Sequence, residues 1–141
     1  MSGPKAVVDT NIFITARNPT ESGFRACRNL IDRIDRGEVS ALLSAVTIAE
    51  LRAGILQQQV QTLWRPMLRH FLTSPNYRVE PVDSDIAEAA GELRASDGLT
   101  NPDAIVVATA QLRGAKCVVT QDVKLLRRRL RVSLVAPNAL P

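Results

Sequence analysis

The sequence predicts a three-layer α/β/α sandwich built around a central, mainly parallel sheet. Three observations carry that expectation. Four short runs are continuously apolar instead of alternating, which is the pattern of strands buried on both faces. Longer stretches between them carry apolar residues at helical spacing. Strands and helices take turns along the chain, which places helices on both sides of one sheet.

The four runs are residues 6–8, 40–43, 117–120 and 132–135. The first helical stripe is Phe24, Cys27, Leu30, Ile31 and Ile34. A second is Ile48, Leu51, Ile55 and Leu56, and a third Leu63, Met67, Leu68, Phe71 and Leu72. Ile86, Ala89, Ala90 and Leu93 form a fourth, and Ile105, Val106, Ala108 and Leu112 a fifth. Pro75 and Pro81 bracket residues 76–80, which read as a short connecting strand or a loop. The 141 residues fit one domain with one core. That domain is expected over residues 1–136, with 137–141 a flexible tail.

Composition narrows the chemistry. Hydrophobic residues make up 45% and charged residues 23%, a soluble profile. No apolar run approaches the roughly 20 residues that span a bilayer. Residues 1–5 lack a basic region followed by an apolar segment, so secretion is not expected and the cytoplasm is. Cys27 and Cys117 read as small buried hydrophobes of a reduced protein. The single histidine, His70, reads as an ordinary helix residue, which argues against zinc sites and histidine-based triads. The net charge of +4 suits a polyanionic partner. Basic residues gather late, at Lys124 and at Arg127, Arg128, Arg129 and Arg131, where a solvated helix face explains them equally well.

The acids draw attention by where they fall. Asp9 closes the first strand and Asp122 follows the third. Open parallel sheets bind ligands at the carboxyl ends of their strands. Asp103 follows Asn101 and Pro102, which read as an N-cap and a first helical residue. It then sits in a first turn, beside the positive end of the helix dipole, where acids are common stabilisers. Glu50 completes Thr47-Ile48-Ala49-Glu50, the spacing of a capping box, which needs no metal. Asp9 and Asp122 also suit turns after strands. As a set the four are harder to explain that way. Converging carboxylates repel one another and need a cation. Oxygen ligands favour Mg²⁺ or Mn²⁺ over zinc. Such a centre suits phosphodiester chemistry. Asp97, ahead of Gly98, reads as part of a helix-ending turn.

The segments Val8-Asp9-Thr10-Asn11-Ile12-Phe13-Ile14, Val46-Thr47-Ile48-Ala49-Glu50-Leu51, Pro102-Asp103-Ala104-Ile105-Val106-Val107-Ala108-Thr109-Ala110 and Val119-Thr120-Gln121-Asp122 occur in that order. In this the chain resembles the PIN domain, and most closely the VapC-type ribonuclease toxins of toxin–antitoxin pairs. The resemblance covers nearly the whole chain. It implies a PIN-like fold and a ribonuclease that leaves a 5′-phosphate and a 3′-hydroxyl. It implies Asp9, Glu50, Asp103 and Asp122 as catalytic metal ligands for Mg²⁺ or Mn²⁺. Its polar helper positions fall on Thr10 or Asn11 and on Thr120. Asn11 would orient a ligand carboxylate and Thr120 would bond a bound water, although both residues also suit ordinary turns and strand ends. Ile105, Val106 and Val107 stand where such proteins commonly carry Leu-Ile-Ala, a change of packing and not of chemistry.

The resemblance also implies RNA as substrate, a small antitoxin as partner and a homodimer. Arg17, Arg52, Lys124 and Arg127 are the candidate phosphate contacts, because each lies near one of the acids in sequence. Aromatics are 4%, so base stacking is not a theme. Residues 47–72 offer a possible antitoxin surface, though their apolar stripes are more often simply core. An RNA-processing PIN nuclease without a toxin role is a further reading. So is a non-catalytic module whose acids are only caps. The D-x-D-x-T pattern of haloacid-dehalogenase-type enzymes is absent, because position 11 is Asn and position 13 is Phe.

Overall fold

The computed structural model describes residues 3–141. Five strands form one sheet in the order β3-β2-β1-β4-β5. They are β1 (Lys5–Val8), β2 (Ser40–Ser44), β3 (Tyr77–Glu80), β4 (Cys117–Val119) and β5 (Ser133–Val135), and every pair is parallel. The helices are α1 (Thr10–Thr15), α2 (Phe24–Asp35), α3 (Ala45–Gln57), α4 (Trp64–Thr73), α5 (Ser84–Asp97), α6 (Asn101–Leu112) and α7 (Val123–Leu126). The expected α/β architecture is therefore present, with a sheet that is wholly parallel.

The continuous apolar runs have a direct cause. Successive strand side chains point to opposite faces. Ala6, Val8, Ala41, Leu43, Cys117 and Val119 enter one core with Leu30, Ile34, Leu51, Ile55, Trp64 and Phe71 from α2, α3 and α4. Val7, Leu42 and Val118 enter the other, with Ile86 and Leu93 of α5, Val107 of α6 and Leu125 of α7. The register sets Val7 beside both Leu42 and Val118, so one row crosses the sheet centre. Burying each such side chain contributes roughly 1.5–3 kcal/mol. Both cysteines are buried and free, as expected. His70 stands on α4, 3.1 Å from Asp35.

Within residues 76–80, Tyr77–Glu80 form an edge strand, with Tyr77 and Glu80 buried and Arg78 exposed. The segment expected as a flexible tail, residues 137–141, carries structure of its own. Residues 137–139 form a short 3-10 helix, Pro137 and Leu140 are buried, and Leu140 joins the first core. The Arg33 guanidinium donates to the carbonyls of Leu140 and Pro141, both at 2.8 Å. These bonds give the end segment the partners that its own short sequence lacks. Among the described residues no helix is long and apolar enough to cross a membrane.

The strand order reverses between β1 and β4. The chain leaves β1 toward β2 and β3 on one side and returns to β4 and β5 on the other. Crevices form at such switch points, beyond the carboxyl ends of the strands. Asp9 and Thr120 are the first residues past β1 and β4.

Candidate active site

Asp9 is buried, at 7% exposure, and its neighbours hold it at both oxygens. It is the N-cap of α1, with Oδ1 accepting from the Thr10 backbone N–H at 2.8 Å. Oδ2 accepts from the Thr120 hydroxyl at 2.8 Å and from Asn11 Nδ2 at 3.3 Å. Asn11 Nδ2 also donates to Thr120 Oγ1 at 3.1 Å, and the Gln121 N–H donates to Asn11 Oδ1 at 3.1 Å. The Asp122 N–H donates to Thr120 Oγ1 at 3.0 Å. A hydroxyl has one donor and two acceptor sites. All three on Thr120 are thus engaged, so its hydroxyl positions Asp9 and has no donor left for the water expected from the sequence. Asn11 does meet a carboxylate, as expected.

Glu50 comes next to Asp9 through Thr10, whose hydroxyl donates to Glu50 Oε1 at 2.6 Å. The capping-box reading of Glu50 fails. Helix α3 starts at Ala45 and its cap is Ser44, whose hydroxyl accepts from the Val46 N–H. Thr47 lies inside the helix, fully buried, with a hydroxyl that has no partner. Ser44 ends β2 and caps α3 without an intervening loop, which the ambiguous Ala45-Val46 pair concealed.

Asp103 lies in the first turn of α6, half-buried. The N-cap there is Thr100, not Asn101, so Asn101 and Pro102 are already helical. Asp122 caps α7, with Oδ1 accepting from the backbone of Lys124 at 2.9 Å and Leu125 at 3.2 Å. Asp103 and Asp122 line one cleft together with Lys124 and Arg128.

The electrostatics tie the four acids together. Burial pushes the Asp9 carboxyl up to about 6. Its bonds from Thr120 and Thr10 oppose that, while the charges of Asp103 and Glu50 add to it. Asp103 is also raised, by burial first and then by Asp122 and Glu50, against the pull of Thr100 and Arg128. None of the four acids is in a salt bridge among the described residues. Nor do any three acidic, histidine or cysteine side chains there crowd tightly enough to enclose an ion. Asp9 thus feels the charges of Asp103 and Glu50, and Asp103 those of Asp122 and Glu50, and all four acids offer hard oxygen donors only. That donor set fits Mg²⁺ or Mn²⁺.

The basic candidates divide. Lys124 lines the acidic cleft. Arg17 faces the aromatic cavity of Phe13, Phe71 and Tyr77. Arg52 lies over the Trp64 ring, 5.4 Å from its centroid. Arg127 does not line the cleft, and its neighbour Arg128 does. Lys124 and Arg128 are four residues apart, and that spacing was the available signal. Gln121 was also missed: its Nε2 donates to Thr15 Oγ1 at 2.9 Å, a bond across 106 residues that leaves no local trace. Asp97 ends α5, and Gly98 at φ 68° caps it in the left-handed conformation, as expected.

An all-parallel α/β sheet, switching direction beside a buried carboxylate without a salt-bridge partner, defines a class of α/β proteins with acidic sites at their strand ends. The model of the PIN domain family matches residues 6–129, and the chain belongs to that family. No curated protein matches it. Among solved structures it is similar to a toxin-antitoxin complex from Klebsiella pneumoniae, at 25% identity and TM-score 0.72, covering 94% of this chain and 97% of that one. FitAcB from Neisseria gonorrhoeae is similar at 21% identity and TM-score 0.72, covering 96% and 99%. Mycobacterium tuberculosis VapC20, a sarcin-ricin loop cleaving toxin, is similar at 17% identity and TM-score 0.66, covering 80% and 86%.

Proposed function

We propose that this protein is a Mg²⁺- or Mn²⁺-dependent endoribonuclease and the toxin of a VapBC-type pair. One observation carries the reading. Asp9 is a buried carboxylate fixed by neutral donors, facing other acids, with no salt-bridge partner of its own. Membership of the PIN family and similarity to toxin-antitoxin structures support it.

Asp9, Glu50, Asp103 and Asp122 would hold the ion. When bound, it supplies the positive charge that activates water and eases departure of the leaving oxygen. The chain's own part is placement. Thr120 and Asn11 fix the Asp9 carboxylate, and Thr10 fixes that of Glu50. Hydrolysis adds water across the P–O3′ bond. The hydroxide part stays on phosphorus as a 5′-phosphate and the proton ends on the 3′-oxygen.

An antitoxin surface over residues 47–72 draws on Leu56, Leu63 and Leu72, which stay exposed while Leu51, Ile55, Trp64 and Phe71 are core. A homodimer and a cytoplasmic setting belong to the same reading. The rival, a non-catalytic module, draws on the helix-capping bonds of Asp9 and Asp122. RNA cleavage with Mg²⁺ or Mn²⁺ separates the two, comparing wild type with Asp9→Asn and Asp103→Asn. Both variants should stay folded and lose cleavage. A variant that cleaves at the wild-type rate takes its residue out of the site. Mn²⁺ at 100 times its dissociation constant should also stabilise the wild type by about 2.7 kcal/mol, and the caps-only reading expects none.

A further inference from the structure

We propose that the cleft beside Asp103 and Asp122 is a phosphate subsite, in which Arg128 and Lys124 hold an RNA backbone phosphate next to the one that is cleaved. This rests on the nuclease reading and adds where the substrate strand runs.

The cleft has a volume of about 300 Å³ and is lined by Asp103, Asp122, Lys124 and Arg128 with the buried Leu99 and Leu125. It shares two acids with the site, so a phosphate seated there neighbours the reacting one along a strand. Four carboxylates repel a polyanion, and a cation-bearing wall offsets that repulsion on the side where it stands. Lys124 and Arg128 are the basic side chains of this cleft.

Both are available for a ligand. Arg28, Arg33, Arg36, Arg78 and Arg113 are all in salt bridges. Among the described residues Lys124 and Arg128 are in none. Arg128 is nevertheless held in place, because its Nη1 donates to the Asp97 backbone carbonyl. A guanidinium carries five N–H donors in one plane. Anchoring one leaves the others oriented, the geometry that suits two phosphate oxygens. Lys124 adds a movable point charge.

The test uses the full chain and a single-stranded RNA oligonucleotide. Binding is read by fluorescence anisotropy in the Asp9→Asn background, across a salt series. Removing one cation from a phosphate lowers the slope of log affinity on log salt by about 0.7. Arg128→Gln and Lys124→Gln should each do so. Arg131→Gln removes the same charge outside the cleft and should leave the slope unchanged. Cleavage by the otherwise wild-type protein is then measured on oligonucleotides carrying one neutral methylphosphonate at successive positions near the cut. One position should cost wild type about 10–100-fold, the worth of a hydrogen bond to a charged group, and cost Arg128→Gln nothing further. Loss of metal cannot mimic this, since removing a cation near Asp103 strengthens cation binding.

Equal salt slopes for all three variants, or equal responses of Arg128→Gln and wild type to every neutral linkage, overturn the subsite while leaving cleavage intact. Absence of any cleavage by wild type overturns the nuclease reading instead, and the salt slopes then decide the subsite alone.

Discussion

Asp9 and Glu80 each stand at the carboxyl end of a parallel strand, 7% and 6% exposed. Glu80 ends the edge strand β3 and is neutralised from within. Arg78 reaches its Oε1 at 2.8 Å and Arg113 its Oε2 at 3.5 Å, and Arg113 also pairs with Asp83. Asp9, beside the switch point, receives three side-chain or backbone donors and no cation. A buried charge is tolerated only with compensation. At Glu80 the chain supplies that compensation and the acid serves the fold. At Asp9 the chain supplies orientation without charge, and the proposed function assigns the missing charge to a cation from solution.

Four measurements sharpen or break this contrast. The largest difference is expected in cleavage. Asp9→Asn should lower it by more than the roughly 10–100-fold typical of an outer residue of a metal site, whereas Glu80→Gln, once folded, should cleave as wild type does. Equal losses would erase the distinction.

The second is a pH effect on the metal-free protein. The Asp9 carboxyl is raised from 3.8 to about 6 in the fold, so between those values the folded chain holds a proton that the unfolded chain releases. Stability therefore falls as pH rises through that window, by up to about 3 kcal/mol from this group. Urea unfolding in chelator from pH 4 to pH 7 should show a steeper fall for wild type than for Asp9→Asn. Parallel curves would refute the cost assigned to the Asp9 charge.

Third, Arg113→Met leaves Glu80 with only the exposed Arg78. It should lower unfolding stability by about 1–3 kcal/mol with cleavage unchanged, and a loss of cleavage at full stability would reverse the roles given to the two acids. Last, Thr10→Val removes the bond to Glu50 while keeping the shape. Cleavage should fall about 10–100-fold with melting temperature little moved.

The sequence revealed this contrast on one side only. The run Ala6-Val7-Val8 followed by Asp9 is readable because burial on both faces demands unbroken apolar residues, and the first polar one marks the strand end. Glu80 hid in a five-residue stretch between two prolines, where an edge strand with one exposed face shows no decisive pattern. Helix starts were misplaced at Ser44 and Thr100, because several polar residues near each start satisfy the same capping spacing. The Thr10–Glu50 and Gln121–Thr15 bonds span 40 and 106 residues, and only the folded sheet brings those residues together.

The strand order has a consequence in time. Asp9 directly follows β1, yet the strand that completes its surroundings pairs Val8 with Val119, far along the sequence. Pairings so distant form slowly and late. During synthesis the residues that hold Asp9 therefore stay apart until β4 has been made and has paired with β1.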